Sequence, residues 1–257
     1  NFIVGRDAMD DVESLTNKSM LAHVSLSSHE VGYRMFESVR EFARERSPNE
    51  SPSAYEKHLQ WALVTAIRLD EQMDDARAPD AFHSLDRCYS DLIAALSHAL
   101  EVKEARSLEL AFSMRKFWLM RGPLSDGADL LEQAIAASND TENALYVDAQ
   151  NSLGAINMTL GNKEEALSSL EQAADGFLSL HMPTKAAASF ANMGILHAME
   201  GEFALAEPLF ASSLRAYEAG GDKTGAAKVS LNFGRMLADA GHCERAMPYL
   251  LAALHHV

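Results

Sequence analysis

"NSLGAINMTLGNKEEALSSLEQA", residues 151–173, holds two glycines seven positions apart, Gly154 and Gly161, followed at helical spacing by Ala166, Leu170 and Ala173. A glycine inside a helix costs about 1 kcal/mol relative to alanine, so a helical stretch that carries two of them must use them. The arrangement recurs: Gly194 and Gly201 lie 40 residues further on, and Gly234 and Gly241 another 40 beyond those. Ala166, Ala206 and Ala246 then share one register, as do Leu170, Phe210 and Leu250, and Ala173, Ser213 and Ala253. A degenerate copy precedes the three at an offset of 39, where Leu131-Glu132-Gln133-Ala134 repeats Leu170-Glu171-Gln172-Ala173 letter for letter. In that copy Gly122 matches Gly161, Gly127 replaces the alanine and Arg115 replaces the first glycine.

Each slot has a physical reading. The second glycine closes an apolar helical pattern and opens a short turn, as a left-handed helix cap requires. Asn162 and Glu165 then have capping-box spacing and start the next helix. The first glycine sits mid-helix, opposite the later alanine of the partner helix, and small residues at both places let two antiparallel helices cross closely. Such a pair cannot bury its apolar faces alone, so neighbouring pairs stack into a solenoid. Leu153-Gly154, Gly161, Ala166, Leu170 and Ala173 resemble the signature of tetratricopeptide repeats, and the resemblance covers residues 106–257. It implies an all-α, right-handed helical solenoid. The 40-residue spacing exceeds the family's usual ~34 and implies a lengthened second helix or loop.

Composition limits the functions open to the chain. Its 257 residues, 47% hydrophobic and 23% charged, suffice for a sizeable core, and a formal charge of −15 argues against a nucleic-acid surface. Cys88 and Cys243 lack paired spacing and read as two buried thiols of a reducing cytosol. No run reaches the ~20 apolar residues of a membrane helix. The first residue, Asn1, falls within a pattern, so the chain reads as part of a longer polypeptide.

Residues 1–47 follow a different pattern. Asp7 to Lys18 reads as a helix with Met9, Val12 and Leu15 on one side; Met20 to Leu26 and Val31 to Met35 alternate around Ser27 and Ser28, and Phe36 to Arg46 returns to helical spacing before Pro48. Helix, hairpin and helix fit the C-terminal part of a winged-helix domain. "DAMDDVESLTNKSML", "YRMFESVREFARERS" and "FSMRKFWLMRGPLSDGADLLEQAI" resemble the end of the nucleotide-binding module, and the entry into the repeats, of bacterial STAND-type regulators of the AfsR/SARP and LuxR-like groups. That resemblance implies an ATPase switch with a tetratricopeptide sensor. Met35-Phe36-Glu37 stands where related switches carry Met-His-Asp, whose histidine touches the ADP phosphate; Phe36 cannot donate a hydrogen bond and reads more simply as the start of an amphipathic helix. Residues 48–105 read as a helical connector that caps the first repeat, with Tyr55, Leu59, Ala62, Leu63, Ala66 and Ile67 on one stripe and Phe82, Leu85, Tyr89, Leu92, Leu96 and Ala99 on another.

The sequence lacks the phosphate cradle of a P-loop, a paired-histidine metal motif and a nucleophile elbow. No catalysis, metal or cofactor is therefore expected in this region, and the resemblance places ATP or ADP on a module upstream. Helical geometry at ~100° per residue gives a binding arc on the first helix of each repeat. Within it or at its edge fall Asp148, Asn151, Asn192, Lys228, Asn232, Arg235 and Asp239, beside Ala155, Met158, Thr159, Ala188, Ala191, Ile195, Ala198, Met199, Leu231 and Ala238. Asparagine amides can hold an extended peptide backbone, and Lys228 and Arg235 can meet a carboxylate. The alternative is that these groups bond neighbouring helices or merely keep the groove wet. Glu164 and Glu165 read as a solvated face. The expected function is the cytoplasmic sensor region of a STAND-like transcriptional or signalling regulator, binding a protein, peptide or small effector in that groove. A free-standing assembly scaffold and a regulatory domain fused to an enzyme such as a nucleotide cyclase are the alternatives.

Overall fold

The structure, a computed structural model, describes residues 8–25, 31–36, 38–39, 42 and 52–255. Its elements follow as α1 (Met9–Asn17), β1 (Leu21–Ser25), β2 (Val31–Met35), α2 (Pro52–Gln72), α3 (Ala78–Glu101), α4 (Ser107–Met120) and α5 (Leu124–Ala137). Then come α6 (Ala144–Leu160), α7 (Lys163–Ser179), α8 (Pro183–Met199), α9 (Phe203–Ala219), α10 (Lys223–Asp239) and α11 (Cys243–His255). The chain forms two compact units, Asn1–Glu104 and Ala105–Val257.

In the first unit the alternating segments pair as an antiparallel hairpin in which His23 stands opposite Tyr33, their rings 5.1 Å apart. The Ser27–Ser28 turn lies outside the described residues, as does most of the expected helix 36–46, of which Ser38, Val39 and Phe42 are helical. Helices α2 and α3 pack together through the two expected stripes, with Leu59, Leu63 and Ala66 buried from one and Leu85, Leu92 and Leu96 from the other. Asp75 and Arg77 pair in the intervening turn, within two residues of each other.

The second unit is a tetratricopeptide-like helical solenoid, and its mid-helix glycines are sockets. A Cβ built on Gly154 would stand 2.6 Å from Leu170 Cγ, one on Gly194 3.0 Å from Phe210 Cε2, and one on Gly234 2.8 Å from Leu250 Cδ2. What fills the crossing is thus the large residue after the alanine, rather than two small residues facing each other; Ala166, Ala206 and Ala246 are themselves buried. The degenerate copy inverts the arrangement, since Gly127 of α5 receives Trp118 of α4. Gly161, Gly201 and Gly241 take φ of +84°, +76° and +84° where the helices end, as a left-handed cap demands. Gly122 does not, and packs against Phe117 instead.

The lengthened repeat lies in both helices: α6 to α10 have 17 residues each, joined by connections of two or three. The expected capping box is absent. Asn162 makes no cap bond and turns its amide back to Asn157 Oδ1 at 3.1 Å, whereas Asn143 and Asp222 do cap their helices. Phe210 stacked on Phe233 at 4.2 Å locks one pair to the next, and Phe233 meets Tyr249 of its own pair edge-on at 4.8 Å. Ser213, in the register of Ala173 and Ala253, donates from Oγ to Ala187 O at 2.7 Å and is fully buried.

His181 adopts φ +57° in the register where the next repeat has Gly221 at +71°. A non-glycine residue there costs about 1–2 kcal/mol, partly offset by the lower chain entropy of histidine when unfolded. His181→Gly is expected to raise stability by about 0.5–1 kcal/mol, read as a higher midpoint in urea unfolding.

Candidate functional site

Helices α6, α8 and α10 supply the arc expected to bind, and its residues divide into two groups. Asp148 and Asn151 on α6 are half-buried and tied to α8: Lys185 Nζ donates to Asp148 Oδ2 at 2.6 Å and Ser189 Oγ to Asn151 Oδ1 at 2.8 Å. These two serve helix stacking, the alternative weighed from sequence. On α8, Ala191 and Ala198 are buried in the core shared with α10, which narrows the open arc there to Ala188, half-buried Asn192, Ile195 and Met199. On α10, Lys228, Asn232, Arg235 and Asp239 are exposed. None of the four pairs with another described residue. Lys228, Asn232 and Arg235, spaced i, i+4 and i+7, form one polar stripe, with Leu231 at 53% and Met199 at 68% exposure nearby in register.

A ladder of contacts runs along the turns. Glu202 Oε2 lies 2.7 Å from His197 Nδ1 and 3.4 Å from Lys163 Nζ, so it joins one repeat to the next. The hydrogen bond to His197, then the charge of Lys163, holds the Glu202 carboxyl below its ordinary range. That contact therefore favours the folded chain at neutral pH and is lost as the pH falls through the depressed value. In the following repeat Phe203 and His242 occupy the registers of Lys163 and Glu202, and their rings meet edge-on at 5.2 Å. Burial, with Asp91 nearby, pushes the Cys88 thiol up to about 11, so it is protonated at neutral pH and is no thiolate nucleophile.

A second concavity, about 550 Å³, opens among α5, α6 and α7 on the face of α6 turned away from the arc. Gln150, Asn157 and Ser169 form its floor, each 7% exposed, and Asp129, Glu132, Glu164 and Glu165 line it. The sequence reading missed it by treating Glu164 and Glu165 as a solvated face. The available signal was a break in register: Gln150 aligns with Phe190 and Ser230, and Ser169 with Leu209 and Tyr249. Among the described residues no three carboxylate, histidine or cysteine side chains converge as a metal site would need, and no helix is long and apolar enough to cross a membrane.

Residues 140–219 match the family model of the tetratricopeptide repeat. No curated protein matches the sequence. Among solved structures, BtubC (BKLC) from P. vanneervenii is similar at 17% identity and TM-score 0.58, over 77% of this chain and 90% of that one. A kinesin light chain from P. anserina with nearly identical tetratricopeptide-like repeats gives 16% identity and TM-score 0.58, over 74% and 95%. A signal transduction ATPase with numerous domains, carrying a tetratricopeptide repeat sensor, from Pyrococcus horikoshii gives 18% identity and TM-score 0.50. It is matched over 99% of this chain, which spans 40% of its length. At these identities the likeness is one of fold.

The two α6–α8 links should behave differently. Ser189→Ala removes a buried donor and is expected to cost about 1 kcal/mol, unchanged by salt. Lys185→Ala breaks an exposed pair and should cost less than about 0.5 kcal/mol, falling towards zero in concentrated salt. Denaturant melts of both variants at low and high salt check the contrast.

Proposed function

We propose that this chain is the sensor and protein-interaction region of a STAND-like regulator, and that an acidic or carboxylate-bearing peptide binds along α8 and α10. Tetratricopeptide repeats build protein-interaction scaffolds, and the matched family model supports that coarser reading directly. The carrying observation is the stripe of Lys228, Asn232 and Arg235, exposed and unpaired among the described residues while the equivalent α6 groups are consumed by stacking. A bidentate guanidinium suits a carboxylate, and the asparagine amides suit a peptide backbone.

The regulator reading draws support from the alignment of nearly the whole chain with the sensor-bearing ATPase. Helix α1 followed by the β1–β2 hairpin supports residues 1–47 as the end of a winged-helix domain. Cys243 is exposed and Cys88 only half-buried, against the burial expected of both, and two free thiols suit a reducing cytoplasm. No catalytic step falls to this region in such a regulator, whose nucleotide chemistry would sit on an upstream module.

Fluorescence anisotropy with labelled peptides of graded charge tests the groove. Acidic peptides should bind best, Arg235→Ala should weaken them by about 1.5–3 kcal/mol, and Asn192→Ala and Asn232→Ala by about 0.5–1.5 kcal/mol each. Glu171→Ala, exposed on α7, should change nothing. A preference for basic peptides, or acidic binding indifferent to all three substitutions combined, would contradict the assignment.

A further inference from the structure

The cleft among α5, α6 and α7 departs from its own repeat. In the next repeat the equivalent gap is closed by Phe190 and Leu209, which pack on the core of Leu170, Met193 and Leu196. In the third, Tyr249 fills it against Phe233. Where Gln150 and Ser169 stand in place of Phe190 and Leu209, the gap is open and polar. A solenoid that plugs this position elsewhere has here traded apolar burial for space lined with hydrogen-bonding groups.

The floor is built of groups with capacity to spare. Ser169, 7% exposed, has no hydrogen-bond partner for its Oγ among the described residues. Gln150 donates from Nε2 to Gln172 Oε1 at 3.2 Å and to the Tyr146 hydroxyl at 3.3 Å, which leaves its own carbonyl oxygen as an acceptor. Asp129, Glu132, Glu164 and Glu165 bring four negative charges to the lining, and no lysine or arginine lines it. Lys163, next in sequence, is occupied by Glu202 at 3.4 Å.

The spread of these groups selects among cations. The four carboxylates do not converge, since no metal-competent cluster exists among the described residues, so a single divalent ion gains little over solvent there. An extended cation satisfies them separately. Ala128, Ile135, Leu153 and Leu160 supply apolar wall between the charges, which suits methylene chains, and the volume falls in the range of small-molecule sites. We infer that this cleft binds an aliphatic polyamine, its ammonium groups held by Glu132, Glu164 and Glu165 with Gln150 and Ser169 accepting hydrogen bonds from the floor. The site is separate from the α8–α10 stripe, so either assignment can fail alone.

The test is calorimetry with spermidine on the whole chain at physiological salt. The site predicts saturable one-to-one binding that an equal concentration of Mg²⁺ does not displace. Glu132→Gln with Glu165→Gln should weaken it at least tenfold, and Gln150→Phe with Ser169→Leu, the plug of the next repeat, should abolish it with the helical circular dichroism unchanged. Should the plug variant fail to fold, the isosteric carboxylate variant still decides. Absence of saturable binding, equal displacement by Mg²⁺, or binding indifferent to both variants would overturn the inference.

Discussion

The second unit depends on one contact, made three times: a large apolar side chain of the second helix seated on a glycine of the first. Leu170 on Gly154 and Leu250 on Gly234 lie closer than a Cβ would allow without a shift, and Phe210 on Gly194 lies at the edge of that limit. The propensity lost at each glycine, about 1 kcal/mol, is set against burial of a leucine or phenylalanine, about 1.5–3 kcal/mol. The left-handed glycines that follow at Gly161, Gly201 and Gly241 turn the chain back in time for the next helix to meet the socket. The inverted socket, Trp118 on Gly127, shows that the close approach is conserved within the array while the helix that carries the glycine is not.

Once that frame is set, the remaining registers are free to differ, and chemistry enters through the differences. Asn157 with Asn162 and His197 with Glu202 make the same contact from one helix end to the next turn with unlike groups. Lys163 with Glu202 and Phe203 with His242 join successive repeats at one register, once by charge and once by ring contact. The same latitude leaves Lys228 and Arg235 exposed on α10 where Asp148 on α6 is neutralised by Lys185. It also opens the α5–α6–α7 cleft at Gln150 and Ser169.

The period, the helix pairs and their turns were legible in the sequence because glycine positions impose them through backbone geometry, which one residue type can announce. The hairpin was legible by the alternation of its two strands. The socket's occupant was not, because pairing Gly154 with Ala166 or with Leu170 differs by one helical turn, and spacing alone does not say which side chain lies deepest. The capping box failed for a similar reason: the Asn162 side chain turns back towards Asn157, an orientation that spacing does not report. Which residues of the arc stay open was not legible: α8 consumes Asp148 and Asn151 through side chains more than 35 residues away in sequence, and the core takes Ala191 and Ala198. The cleft was visible only to a comparison of repeats register by register, since its acids look like any solvated helix face.

A double-mutant cycle at Gly154 and Leu170 tests the socket most directly. In the native background Gly154→Ala should destabilise the chain by about 1–3 kcal/mol by overpacking, although alanine is the better helix former. In a Leu170→Ala background, where the socket is empty, the same substitution should be neutral or stabilising. Equal effects of Gly154→Ala in both backgrounds, or stabilisation in the native one, would contradict the account.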